Sequence, residues 1–188
     1  MVFKNTLDIS HKIIKDIVTE GDIVVDATAG NGNDTLLLSQ LVGDAGKVYA
    51  FDIQDIALEN TRERLKKGDT YHRVQLIKDG HQNMEKYVSY GIKAVLFNLG
   101  YLPGGDHSIS TRPKTTIAAI EAALRLLKVG GIIMMVIYYG GDSGFSEKDA
   151  VLDHIKSLDY KEYSVLMMDY INWINCPPIA VIIQKNSN

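Results

Sequence analysis

Five short apolar runs, each leading to a hydrogen-bonding residue and then to a helical pattern, constrain this chain more than any other feature. Ile23-Val24-Val25 ends at Asp26, Val48-Tyr49-Ala50-Phe51 at Asp52, and Val74-Gln75-Leu76-Ile77 leads to Asp79. Ala94-Val95-Leu96-Phe97 ends at Asn98, and Ile132 to Ile137 at Tyr138. Apolar runs of this length bounded by turn residues are buried strands of a parallel sheet. The intervening stretches predict helices over about Ser10–Val18, Leu36–Leu41, Asp55–Lys67, a short one through Tyr87, Pro113–Lys128 and Ser146–Ser157. In the first, Ser10 is the expected N-cap and Ile13, Ile14, Ile17 and Val18 share one face. Two last strands, Tyr163–Asp169 and Ile179–Ile183, flank a connection with Pro177-Pro178 and predict an antiparallel hairpin. Regular alternation of this kind gives an α/β fold: a doubly wound, mostly parallel seven-stranded sheet with an antiparallel edge hairpin.

With 188 residues and no repeat, low-complexity tract or linker, residues 1–188 are expected to form one domain. One Cys excludes a disulfide framework and a cysteine-rich zinc site, and fits a reducing, cytoplasmic setting. No apolar run reaches the ~18 residues of a membrane span, and Met-Val-Phe-Lys-Asn-Thr-Leu-Asp lacks a leader's apolar core. A net charge of −3 argues against a surface coated for generic nucleic-acid binding, though not against a local basic patch.

Ligands of open α/β sheets bind outside the carboxyl ends of the strands. Here those ends carry Asp26, Asp52, Asp79, Asn98 and Tyr138, whereas the amino ends offer mostly Lys, Gly and apolar residues. The first turn reads Asp26-Ala27-Thr28-Ala29-Gly30-Asn31-Gly32-Asn33-Asp34-Thr35. Its glycines let a ligand approach backbone N–H groups at a helix start, although a tight turn alone also explains a glycine pair. Thr35 stands where the dinucleotide fingerprint has its third glycine. Asp26 and Asp34, with no Lys or Arg, repel a pyrophosphate and suit a ligand carrying an ammonium and a sulfonium. Asp52 follows Gly32 by twenty residues, where a carboxylate accepts both hydroxyls of a ribose; a helix-capping Asp is the alternative. Asp79 can accept from the exocyclic amine of a purine, and His81 can pack on the ring or bond to it.

These residues resemble a class I S-adenosylmethionine-dependent methyltransferase, with Val24 to Thr35 as the first motif and Asp52 as the ribose acid. More narrowly, Asp26 to Thr35, Asp79-Gly80-His81 and Asn98-Leu99-Gly100-Tyr101-Leu102-Pro103-Gly104-Gly105-Asp106 resemble the small bacterial family labelled rRNA methylases. Its members are implicated in methylating 5-aminomethyl-2-thiouridine at the tRNA wobble position. The resemblance implies S-adenosylmethionine as cofactor and no metal. It makes Asp26, Thr28, Gly30, Asn31, Asn33, Asp34, Thr35, Asp52, Ile53, Gln54, Asp79, Gly80, His81 and Asn98 the expected cofactor residues.

The Asn98 loop is similar to the Asn-Pro-Pro-Tyr motif of amino methyltransferases, with Leu99-Gly100 in place of the prolines. Asn98 is expected to aim an amine at the methyl group, and Tyr101 to meet the base; a turn residue is the alternative for Asn98. Asp106 or His107 can take the amine's proton. Tyr138 and Tyr139 are expected on the opposite wall, with Arg112 on a phosphate and Lys114 beside it. Arg62, Arg64, Lys66 and Lys67 read as a solvated helix face. Only 22 residues precede the first strand, so tRNA, met through its anticodon region, must be held by core loops or by a second subunit of a homodimer. Ile171, Trp173 and Ile174 are expected to be exposed there, and Cys176 to pack. Methylation of another RNA base or a small-molecule amine, or a non-catalytic nucleotide-binding module, are the alternatives.

Overall fold

A computed structural model describes residues 4–102, 104, 110–140 and 144–187. Seven strands form one sheet: β1 (Ile23–Asp26), β2 (Lys47–Asp52), β3 (Val74–Lys78), β4 (Ile92–Leu99), β5 (Leu127–Ile137), β6 (Tyr163–Met168) and β7 (Ile179–Lys185). Their order is β3-β2-β1-β4-β5-β7-β6. β1 to β5 pair in parallel, and β7 is antiparallel to both β5 and β6. The doubly wound α/β expectation with an antiparallel edge is what forms. The order reverses between β1 and β4, which opens the crevice beyond their carboxyl ends.

Neighbouring residues of each strand serve opposite cores, which is why the runs are continuously apolar. Val24, Val48 and Leu96 pack with Ile14 of α1 (Thr6–Ile17), Leu38 of α2 (Asn33–Val42) and Leu65 of α3 (Asp55–Lys67). Val25, Phe51 and Phe97 pack with Ile120 of α4 (Pro113–Leu126) and Val151 of α5 (Gly144–Lys156).

Several boundaries differ from the sequence expectation. α1 begins four residues earlier, capped by Asn5, whose Oδ1 accepts from Asp8 N (2.8 Å), and Ser10 is buried within it. α4 stops at Leu126, because Leu127 is already extended and β5 takes in Gly130-Gly131. Asn98 lies inside β4. β6 is an edge strand with Val165, Leu166 and Met167 exposed, and beyond it Ile171, Trp173 and Ile174 are exposed as expected. Cys176 is exposed too and does not pack. Among the described residues no helix is long and apolar enough to cross a membrane.

Candidate active site

The turn after β1 sits at the reversal of strand order. Asp26 is fully buried, and its carboxylate accepts from Thr28 N (3.2 Å) and from Thr35 Oγ1 (2.6 Å). Burial, then the charge of Asp34, pushes the Asp26 carboxyl up to about 7. Neither Asp26 nor Thr35 lines the crevice, which corrects their expected role as ligands. They stand behind the turn and fix its shape. Gly32 caps α2 at φ +78°, and a Cβ there would lie 2.8 Å from Thr61 Cα. Close packing of α3 against the turn therefore requires glycine. Asn31 is tied to the same helix, through Asn60 Nδ2 (2.9 Å) and Arg64 Nε (2.7 Å).

One wall comes from the ends of β2 and β3. Asp52 accepts one backbone N–H on each oxygen, from Gly30 (3.0 Å) and Gln54 (2.9 Å), and each oxygen keeps a further lone pair. Ile53 is exposed beside it. Asp79 takes Asn83 Nδ2 and Gly80 N on Oδ1 and Tyr87 OH on Oδ2. The bond from Asn83, against a partial burial cost, holds its carboxyl below the usual range. His81, buried edge-on to Phe97, donates Nδ1–H to Ala27 O (3.1 Å). Burial lowers its pKa, so the neutral ring keeps Nε2 as an acceptor.

The other wall comes from β4 and β5. Asn98 N donates to Thr28 Oγ1 (2.8 Å), and Asn98 Nδ2 donates to Asp34 Oδ2 (2.5 Å). Asp34 Oδ1 lies 2.6 Å from His11 Nε2 of α1. Beyond β4, Gly100 and Thr111 meet, with Gly100 N donating to Thr111 Oγ1 (2.9 Å) and Thr111 N to Gly100 O (3.0 Å). Buried Glu147 of α5 accepts from Thr111 Oγ1 (2.6 Å) and Thr116 Oγ1 (2.7 Å) and so ties Thr111 to the start of α4. Burial, then the Asp34 charge, raises the Tyr138 phenol and keeps it protonated.

The two walls enclose a cavity of about 840 Å³, within the ~300–1,000 Å³ of small-molecule sites. Thr28, Gly30, Asn31, Asn33, Asp34, Asp52, Ile53, Gln54, Asp79, Gly80, His81 and Asn98 all line it. So do Tyr101, Arg112, Tyr138 and Tyr139, with Cys176 at the rim. Asp106 and His107 lie outside the described residues. His11, Thr111 and Glu147 escape a sequence reading because their partners are far away in the chain. Among the described residues no cluster of His, Cys, Asp or Glu is arranged to hold a metal.

Comparison with known proteins agrees with this geometry. A family model described as "Putative rRNA methylase" matches residues 48–184. The chloroplastic tRNA (mnm(5)s(2)U34)-methyltransferase of Arabidopsis thaliana is 35% identical, over 98% of this chain and 71% of that protein. A crystal structure described as a "putative rRNA-methylase" from Clostridium thermocellum is 58% identical, with a TM-score of 0.97 over 98% of this chain and 100% of that one. One from Streptococcus mutans, described as a "putative methyltransferase" in complex with S-adenosylhomocysteine (SAH), is 44% identical, with a TM-score of 0.89 over 97% of this chain and 99% of that one. The strand order with its crevice, the family match over most of the chain and the full-length likeness agree, and the chain belongs to the rRNA methylase family of methyltransferases.

Proposed function

We propose that this chain transfers the methyl group of S-adenosylmethionine to an amine on RNA, the 5-aminomethyl group of 2-thiouridine at the tRNA wobble position. One observation carries the reading: a ribose-type carboxylate, Asp52, and a strand-end amide, Asn98, share one cavity across the switch point. The donor set fits an adenosyl cofactor. Asp52 has a free lone pair on each oxygen for two hydroxyls, and Asp79 and neutral His81 offer acceptors to the purine edge. Support for the cofactor is the SAH-bound neighbour, and for a tRNA amine the Arabidopsis relative.

When bound, S-adenosylmethionine supplies an electrophilic methyl group on a cationic sulfur. The protein's part is to bind, orient and desolvate. An alkylamine with an ordinary pKa of ~10.4 must give up a proton before its lone pair can attack. Removal from water in the cavity favours the neutral amine, and Asp106 or His107 receives the proton. Asn98 Oδ1 accepts one amine N–H and so orients the amine's lone pair; attack on a bound methyl donor would need the reacting atoms within ~3–3.5 Å. Bound there, the cofactor would supply the methyl carbon and take back the electron pair of its own C–S bond, so the protein's groups need only orient the amine and move its proton. Tyr101 stacks on the base, Tyr138 and Tyr139 form the far wall, and Arg112 at the mouth meets a phosphate of the anticodon region. Residues 1–188 act as one cytoplasmic domain. The apolar edge of β6 with Ile171 and Ile174 pairs with a second copy, which extends the RNA surface.

The test is incubation with labelled S-adenosylmethionine and tRNA from a strain lacking this activity, followed by nucleoside mass spectrometry. The aminomethyl-thiouridine should gain one methyl group. Label in ribosomal RNA only, or in no RNA, would overturn the reading.

A further inference from the structure

We infer that His11 and Asp34 are a positioning pair that fixes the amide of Asn98 with its carbonyl toward the acceptor amine. This deepens the proposed function and rests on it. Asp34 is almost fully buried (5% exposed) between the two groups, 2.6 Å from His11 Nε2 and 2.5 Å from Asn98 Nδ2. Both Asp34 carboxyl oxygens serve as acceptors here, Oδ2 for Asn98 Nδ2 and Oδ1 for His11 Nε2, so both partners donate. His11 therefore carries its proton on Nε2, and Asn98 turns its NH2 group to Asp34. An amide has one donating and one accepting end in one plane. With the donating end held at Asp34, the accepting Oδ1 is the end left to face the cavity that Asn98 lines.

The opposite flip fails twice. It would set the Asn98 carbonyl against the Asp34 carboxylate and its NH2 against the N–H groups of the incoming amine. The Asn98 backbone is already fixed by Thr28, so the flip is the one freedom left to control. His11 completes the device. By occupying Oδ1 it leaves Oδ2 for Asn98, and it brings α1, whose Leu7 also lines the cavity, into the site. Such a pair selects acceptors that bring an N–H or O–H to Asn98, and it acts on turnover rather than on cofactor affinity.

The test compares kcat and KM for tRNA with the calorimetric Kd for SAH. Asp34→Asn has one accepting oxygen for two donors and invites the wrong flip. It should lower kcat at least tenfold while Kd for SAH stays within about threefold. His11→Ala should lower kcat, and His11→Gln, which keeps a donor, should retain more of it. Asn98→Asp alone sets two carboxylates together and should be inactive. Combining Asp34→Asn with Asn98→Asp exchanges donor and acceptor, returns an accepting oxygen to the cavity, and should recover at least tenfold over the weaker single variant. The Asn98 Nδ2 protons, assigned by their loss in Asn98→Asp, should be protected from exchange in the unaltered protein and unprotected in Asp34→Ala. Unchanged kcat in Asp34→Asn, or a folded double variant no better than the singles, overturns the inference. So does a collapse of SAH affinity with kcat intact at saturation, which would make Asp34 a cofactor ligand. If the unaltered protein methylates no tRNA, the substrate reading falls, while the proton-exchange result still decides the pairing.

Discussion

The buried carboxyl of Asp26 makes the pH dependence of stability a direct test of how the turn is built. Its pKa is raised from 3.8 to about 7, first by burial and then by the Asp34 charge. Between those values the folded protein keeps a proton that the unfolded chain gives up. Stability through this group is therefore fully present below about pH 4 and falls as pH rises toward 7, by about 1.4 kcal/mol per unit. Over that span of about three units the loss reaches about 4 kcal/mol. Asp26→Asn removes it. The amide has the same shape, its Oδ1 can accept from Thr28 N, and its Nδ2 can donate to Thr35 Oγ1, which is able to reverse its role. Urea denaturation of both proteins without cofactor, from pH 4 to 7.5, reads the effect. The variant should match its parent near pH 4 and exceed it by about 4 kcal/mol near pH 7. His81, whose pKa is lowered by burial, works in the opposite sense, destabilising the fold as pH drops below its unfolded value. It is common to both proteins and cancels in the difference. A difference that does not change with pH would refute the placement of an elevated carboxyl behind the turn. Because Asp26 does not line the cavity, SAH affinity should change by less than about threefold.

Asp52→Ala removes the acceptor of two backbone N–H groups and of the proposed ribose hydroxyls. At ~1.5–3 kcal/mol per charged hydrogen bond lost to the ligand, calorimetry should show SAH bound at least ~10-fold more weakly. Gly32→Ala puts a Cβ 2.8 Å from Thr61 Cα at a left-handed φ of +78°, and should cost more than ~2 kcal/mol in denaturant unfolding. Glu147→Ala leaves the hydroxyls of Thr111 and Thr116 without their buried acceptor. It should cost ~2–4 kcal/mol of stability and raise KM for RNA as Thr111 loses its hold beside Gly100. Arg112→Ala should raise KM for tRNA, reduce the slope of log affinity against log salt by about 1, and leave SAH affinity unchanged.

The strand-end residues are legible in the sequence because parallel strands are buried on both faces. Ile23-Val24-Val25 and Ala94 to Phe97 stand out as unbroken apolar runs, and topology alone brings their ends to one crevice. Direction within the crevice is not legible. Asp26, Asp34 and Asp52 are all carboxylates near the first turn, and charge alone casts all three as hosts for a cationic cofactor. The folded chain separates them by what each carboxylate accepts. Asp26 is spent on Thr28 and Thr35, and Asp34 on His11 and Asn98, whereas among the described residues Asp52 accepts from backbone N–H groups alone and lines the cavity. His11 stands 23 residues before Asp34, and Glu147 stands 36 after Thr111. No local period links such pairs, so only the packing of α1 and α5 onto the sheet brings them together. An acidic turn of this kind satisfies the protein's own donors first. In the proposed reading, the carboxylate left for the cofactor is the one whose neighbours in the fold are backbone amides.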